Sequence, residues 1–358
     1  LGFMKNKLKN GIALSLVLQI FLVKWLSAYP DLIERYYSNG LYAHLSKFYR
    51  FLLGWVPFSV GDLLYAILTL LALRYIITKR KYIWNNKLLF IRNCAVVLSV
   101  AYFTFNLSWG LNYYRLPIAD KLEIEEAISK KELLSFIDLL IKKTNETQIS
   151  ITADSTKKVI FPYAKKEIFT KTISGYQQLE KLHPFLKYEQ ASLKESLFSS
   201  PLSYMGYGGY LNPFTNEAQV NALIPAFRYP VICGHEIGHQ IGYSAENETN
   251  LIGYLATLNN TDIYFKYSAY TYALSYCLSN LKENDEKTFN SLINKVNSGV
   301  RQNYQELNDF WLGYENVTEP IFKAVFNTFL KANNQEDGIK SYSKVVLLMV
   351  SYHKKHPL

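Results

Sequence analysis

Three stretches near the start of the chain are apolar almost without interruption: Gly11 to Ala28, Val60 to Thr78 and Leu88 to Trp109. Each approaches the roughly 20 residues that a helix needs to cross the hydrocarbon core of a bilayer. Polar exceptions are few: Gln19 and Lys24 in the first, Arg74 near the end of the second, Arg92 close to the start of the third. Both arginines can lay their stems along apolar surface and carry the charge to the membrane boundary. From about Ile118 the pattern becomes apolar residues at helical spacing, over Ala127 to Asn145, Phe161 to Leu182, Asp262 to Leu281, Glu286 to Trp311 and Tyr342 to Tyr352. One segment breaks this run. Ser203 to Phe214 is rich in Tyr and Gly with a turn at Asn212-Pro213, which suits an irregular strand or hairpin, or a loop that packs its aromatics on the core. The expected fold is mainly α: a membrane anchor over residues 1–112 with spans at about 11–28, 60–78 and 88–109, then a mostly helical domain over 113–358 with a small irregular β element.

Composition sharpens this division. Apolar residues make up 49% of the 358, yet mean hydropathy is close to zero, so the hydrophobicity is concentrated at the N-terminal end. Lys5, Lys7 and Lys9 flank the first stretch, and Lys79, Arg80, Lys81 and Lys87 fill the short connection between the second and third. Positive residues stay on the cytoplasmic side, so three spans place everything after Trp109 outside the cytoplasm, in the periplasm of a bacterium with two membranes. A cleaved signal peptide is the alternative for the first stretch, but no small-x-small site follows Leu26. The net charge of +10 is scattered rather than banked into a stripe, which argues against nucleic acid as a partner. Three cysteines, Cys94, Cys233 and Cys277, are too few for a disulfide framework.

The candidate chemistry sits at His235-Glu236-Ile237-Gly238-His239. Residues four apart lie one above the other on a helix, so both imidazoles can reach one metal ion, the arrangement of a Zn²⁺ site. Glu236 points about 100° away around the helix and reaches a water beside the metal rather than the metal itself. Pro230 suits the start of this helix and Gly242 its end, giving Val231 to Ile241. Val231, Ile232, Ile237 and Ile241 then form a buried side, while Gly234 and Gly238 let another element pack closely. Ser244 is placed to cap a second helix from Ala245 towards Leu258. A catalytic zinc site needs a third protein ligand and an open position. Glu246 is preferred, because Asn250 falls four residues later and can hydrogen-bond a ligand histidine; Glu248 is the alternative. Cys233 points away from the metal and reads as core.

The segment Glu246 to Asn250 resembles the E-x-x-x-D of gluzincins, zincin peptidases whose third ligand is a glutamate, with Asn250 in place of Asp. The short interval from His239 to Glu246, with Gly242 between, is also similar to the metzincin layout, so both clans stay open. Over most of its length the chain resembles an uncharacterised bacterial family of membrane proteins catalogued as a domain of unknown function. The residues that carry this are Pro57-Phe58-Ser59-Val60-Gly61-Asp62-Leu63-Leu64-Tyr65, Trp109-Gly110-Leu111-Asn112-Tyr113-Tyr114-Arg115, Gly209 to Asn221 and Gly234 to Tyr254. The resemblance implies a membrane-anchored zinc peptidase with a zincin-like domain and names no substrate.

From the residues, the expected activity is peptide-bond hydrolysis, with zinc held by His235, His239 and Glu246 and with Glu236 as general base. The expected partners are a peptide or protein substrate and the lipid bilayer. Zincins bind peptides along an edge strand, and Ser203 to Phe214 is the candidate. Tyr207, Tyr210, Tyr264, Tyr267 and Tyr270 are candidate donors to the oxyanion. The rival is a membrane-anchored binding or assembly protein in which zinc staples two helices, but a structural site has no need of Glu236. A transporter subunit is disfavoured, because the spans lack an acidic cluster.

Overall fold

The computed structural model describes residues 2–125, 127–335 and 344–358. Three of its helices are long and apolar enough to cross a membrane: α1 (Gly2–Leu26), α4 (Val60–Asn85) and α5 (Lys87–Ser108). α1 packs along α5. Gln19, the mid-span polar interruption, faces that partner and donates to Ser99 Oγ at 2.9 Å, with Ser15 Oγ 3.1 Å from the same oxygen. Polar groups paired in this way join long apolar helices side by side. Arg92 reaches across to Asn6 Oδ1 at 3.0 Å. The expected connection at Lys79 to Lys87 is instead helical: α4 runs on to Asn85, and Asn86 alone separates it from α5. No Gly or Pro interrupts Lys79 to Trp84, so the helix continues past the apolar stretch.

Between the first two spans lie α2 (Pro30–Leu32), a π-helical stretch Ile33–Leu41 and α3 (Tyr42–Leu53). This segment packs into the C-terminal part. Ile33, Tyr37 and Tyr42 share a core cluster with Trp109 and Tyr113. Tyr42 donates to Gln240 O at 2.9 Å, and Arg50 donates to Asn216 Oδ1 at 2.8 Å and Gln240 O at 3.1 Å. Glu34 pairs with Arg115 at 2.8 Å and with Lys121. Burial would raise the Glu34 carboxyl, but these two cations outweigh it and hold it at about 2. Packing therefore crosses residue 112. The segment between the first two spans and the C-terminal part touch, so both lie at one end of the three long helices.

The start of α4 is clamped as well. Ser59 caps it by accepting from Asp62 N at 2.9 Å. Glu217 accepts from the Val60 and Gly61 amides at 3.1 and 2.6 Å, and buried Asp62 accepts from Leu197 N at 2.7 Å, Ser196 Oγ at 3.0 Å and the Tyr210 hydroxyl. The residues thus joined surround a three-stranded sheet of β1 (Leu193–Glu195), β2 (Gly209–Leu211) and β3 (Ala218–Val220), in the order β1-β3-β2. β1 runs parallel to β3 and β2 antiparallel to it, with Tyr210 opposite Gln219.

The remaining helices are α6 (Ile118–Leu122), α7 (Lys130–Thr152), α8 (Lys165–Leu182), α9 (Ser199–Met205), α10 (Tyr229–Gln240), α11 (Glu246–Leu258), α12 (Ile263–Asn284), α13 (Glu286–Ile293), α14 (Ser298–Leu312), α15 (Glu319–Ala332) and α16 (Val345–Lys355). Several differ from the periodicity. α7 starts at Lys130 rather than Ala127, because Ser129 and Glu132 form a reciprocal capping box. The expected helix Glu286 to Trp311 is two, broken where Asn297 N bonds Asn145 Oδ1 at 2.9 Å. Tyr342, the expected start of the terminal helix, lies outside the described residues. Ser203 to Phe214 contributes the end of α9 and then β2, which is an edge strand.

Candidate metal centre

Two local sequence features shape the helix that carries the motif. Pro230 occupies its first turn, where a missing amide costs nothing. At the other end Gly242 takes φ +92, so that Tyr243 N reaches Gly238 O at 3.1 Å and Gly242 N reaches His239 O at 2.9 Å. This Schellman turn presents the Tyr243 carbonyl to His239 Nδ1 at 2.8 Å. Ser244 does not cap α11: its hydroxyl donates to Asn112 O at 2.9 Å, and Ala245 holds the cap position without a side-chain bond. The two glutamates in the first turn of α11 are nonetheless placed where the helix dipole favours them.

α10 and α11 cross in backbone contact. A Cβ added at Gly234 would lie 2.9 Å from Gly253 Cα, and one at Gly253 would lie 2.6 Å from His235 N. The expected close packing at Gly234 and Gly238 is this contact. Ile232, placed by the sequence on the buried side, instead lines the cavity described below.

That crossing brings Glu246 under the two histidines. His235 Nε2 lies 3.3 Å from Glu246 Oε2, and His239 Nε2 lies 3.9 Å from Glu246 Oε1. The three ligand atoms lie within 4.8 Å of one another. Both imidazoles have their outer nitrogen engaged by an acceptor. His235 Nδ1 is 2.9 Å from Asn250 Oδ1, itself accepting from Tyr272 Oη at 2.6 Å, and His239 Nδ1 faces the Tyr243 carbonyl. Acceptors there put the proton on Nδ1 and leave the Nε2 lone pairs facing Glu246, the tautomer a metal requires. Burial holds His239 down at about 4 against the pull of Glu246. At His235 burial also lowers the value, but Glu246 and Glu236 outweigh it and the net shift is upward. The donor set, two neutral-capable imidazoles and one carboxylate, suits Zn²⁺. Glu248 faces elsewhere and accepts from Ile118 N at 2.7 Å.

Glu236 stands beside this cluster. It is 3% exposed, and its Oε2 has no hydrogen-bond partner among the described residues. Burial, countered by His235 and reinforced by Glu246, raises its carboxyl to about 8. The edge strand β2 passes against it: a Cβ at Gly209 would lie 2.6 Å from Glu236 Oε1. Glycine is therefore what lets an extended backbone run past this carboxylate.

A cavity of about 540 Å³ opens over the cluster. Its walls are largely apolar and come from the end of α5 and the residue after it (Phe105, Trp109), from β2 and the residues before it, and from α15 (Phe326, Phe329). Of the five candidate tyrosines, Tyr207 and Tyr210 line it, whereas Tyr264, Tyr267 and Tyr270 do not. Tyr210 already donates to Asp62. Burial and then Glu246 push Tyr207 to about 12, so it keeps its proton. Cys233 is wholly buried and His183 bonds Tyr352 Oη at 2.9 Å, so neither joins the cluster. Arg228, Tyr272 and Trp109 were not assigned a role at the site from the sequence. Arg228 is buried, lines the cavity and has an Nη1 without a hydrogen-bond partner among the described residues. Trp109 donates to His239 O at 3.3 Å; its place at the end of an apolar stretch and in a segment that carries the family resemblance were the available signals.

Neither the curated proteins nor the solved structures contain a match to this chain. A family model matches residues 37–350, from the π-helical stretch through the cavity walls to the last helix. The chain belongs to the family described as Protein of unknown function (DUF3810).

Proposed function

We propose that this protein is a membrane-anchored zinc metallopeptidase. The observation that carries the reading is the convergence of His235 and His239, their outer nitrogens already engaged, with Glu246, beside the buried Glu236 carboxyl, one oxygen of which has no hydrogen-bond partner among the described residues. His235, His239 and Glu246 would hold a zinc ion, which would supply the Lewis acidity that lowers a water's pKa and polarises a carbonyl. Glu236 would accept the proton of the attacking water and pass it to the leaving amine; its carboxyl, raised by burial, would be favoured in the ionised form once the three ligands held a cation. β2 offers its edge to an extended peptide, as zincin edge strands do, with Gly209 giving room beside Glu236. Tyr207, which retains its proton and donates here to Phe322 O at 3.5 Å, a long contact beside that of Tyr210 to Asp62, is the donor nearest in kind to what the developing oxyanion needs.

The test of the ligand set is zinc affinity in three variants. Glu246→Gln is expected to weaken binding most. Asn250→Ala, which removes the partner of His235 Nδ1, is expected to cost about 10–100-fold. Glu248→Gln should bind as the unaltered protein does, because that carboxylate serves Ile118 N. Equal losses for the two glutamine variants would contradict the assignment.

For orientation, the lysines at Lys5 to Lys9 and Lys79 to Lys87 support a reading in which the N-terminal side and the α4–α5 turn face the cytoplasm and the proposed zinc site faces the periplasm of a bacterial inner membrane. A reporter fused after Leu358 is expected to behave as non-cytoplasmic and one inserted at Asn85 as cytoplasmic. The opposite pattern would move the site inside the cell.

A further inference from the structure

α15 presents more apolar surface than the protein covers. On one side Phe326 and Phe329 face the cavity, and Tyr207 donates to Phe322 O at 3.5 Å. On the other, Val317 just before the helix is 91% exposed, Ile321 62% and Val325 65%. These recur every four residues, one stripe along a helix. Singly such residues are ordinary on a surface; a stripe of them marks a contact face.

What lies against that face follows from where α15 is attached. Phe329 packs edge-on to Phe105 at 6.2 Å and to Tyr113 at 5.9 Å, and Phe105 sits in the last turn of α5. At the same end of the long helices, Trp25 closes α1, and Trp55 and Phe58 precede α4, all three exposed. Aromatic side chains exposed at the ends of spans mark the level of the lipid head groups. α15 is therefore held at that level by its own ring contacts. It has the amphipathic pattern of a helix lying in the interface, with exposed Lys331 towards its polar edge.

We propose that α15 lies in the membrane interface, with Ile321 and Val325 in lipid, and that the cavity takes its peptide from polypeptides held at the bilayer surface. The same helix is then both a wall of the cavity and a lipid contact. A segment anchored in the bilayer reaches the edge of β2 without leaving the membrane plane, and its apolar side chains meet apolar walls. The substrate part of this inference rests on the metallopeptidase reading; the lipid contact does not.

Two arms test it. In the first, the full chain with Cys94→Ser is reconstituted in phosphatidylcholine–phosphatidylglycerol vesicles and spin-labelled at Ile321→Cys or Val325→Cys, with Ile160→Cys, exposed on the folded domain, as control. Oxygen accessibility is expected to exceed that of a polar nickel chelate at 321 and 325, and the reverse at 160. Water-like accessibility at 321 and 325 overturns the proposal, as does spin–spin broadening that reveals a second copy there. In the second arm, one quenched-fluorescent peptide mixture is compared with and without an N-terminal acyl chain. Cleavage in vesicles is expected to rise at least about tenfold with the anchor through local concentration, and Val325→Glu should remove that gain without slowing the free peptides. Equal rates for both mixtures overturn the membrane-held substrate, and no cleavage of either is a failure of the peptidase reading, which leaves the first arm intact.

Discussion

Glu236→Gln is expected to keep bound zinc and the folded state while hydrolysis of a quenched-fluorescent peptide mixture falls at least ~100-fold, the scale of losing acid–base catalysis. The amide has nearly the same volume and fits the same slot beside Gly209, and the ligands His235, His239 and Glu246 are untouched. It cannot accept the proton of the attacking water. Burying a neutral amide where a raised carboxyl stood also costs little, so thermal stability should hold or rise slightly. Full hydrolysis in this variant would remove Glu236 as general base, whereas a variant without hydrolysis that restores every phenotype of a deletion strain would favour the zinc-stapled assembly protein, for which residue 236 is only a buried polar group.

Gly253→Val is expected to be the most damaging change away from the ligands. Its Cβ would lie 2.6 Å from His235 N, 2.8 Å from Val231 O and 3.0 Å from His235 Cα, all backbone atoms of α10. No rotamer change relieves such contacts, so the two helices must separate. Overpacking of this kind costs about 1–3 kcal/mol or more, which exceeds the roughly 0.5 kcal/mol of helix propensity that β-branched Val gains over glycine. Because α11 carries Glu246 and Asn250, zinc affinity should fall with the melting temperature. Gly11→Ala supplies the contrast: nothing lies within 4 Å of a Cβ there, and stability should be unchanged or improved. A Gly253→Val protein as stable and as zinc-loaded as the parent would refute the close crossing.

The site was legible in the sequence because its chemistry is local. The i, i+4 spacing of His235 and His239, the stop at Gly242 and the position of Asn250 on the next helix all act within 16 residues, and the structure brings together the residues they named. The three long apolar helices were legible for a similar reason, since an apolar run needs no partner to be read. What escaped reading depends on distant partners. Ile33 to Leu53 carries mixed polar and aromatic residues without a clear stripe, because Glu34, Tyr42 and Arg50 spend their polar groups on Arg115, Gln240 and Asn216 far along the chain. Glu286 to Trp311 was read as one helix because the break at Asn297 is made by Asn145, about 150 residues away. Ser244 has the composition of a cap, but the carbonyl of Asn112 captured its hydroxyl instead. α15 was missed because its apolar arc serves two faces at once, which blurs the stripe that one buried face would leave.

The most direct test of the central claim is elemental analysis of the detergent-purified protein beside His239→Ala. The account requires about one zinc per chain in the first and close to none in the second, since removing one of two imidazoles dismantles the site. A metal-free parent protein under zinc-replete conditions, or zinc retained in His239→Ala, would contradict it.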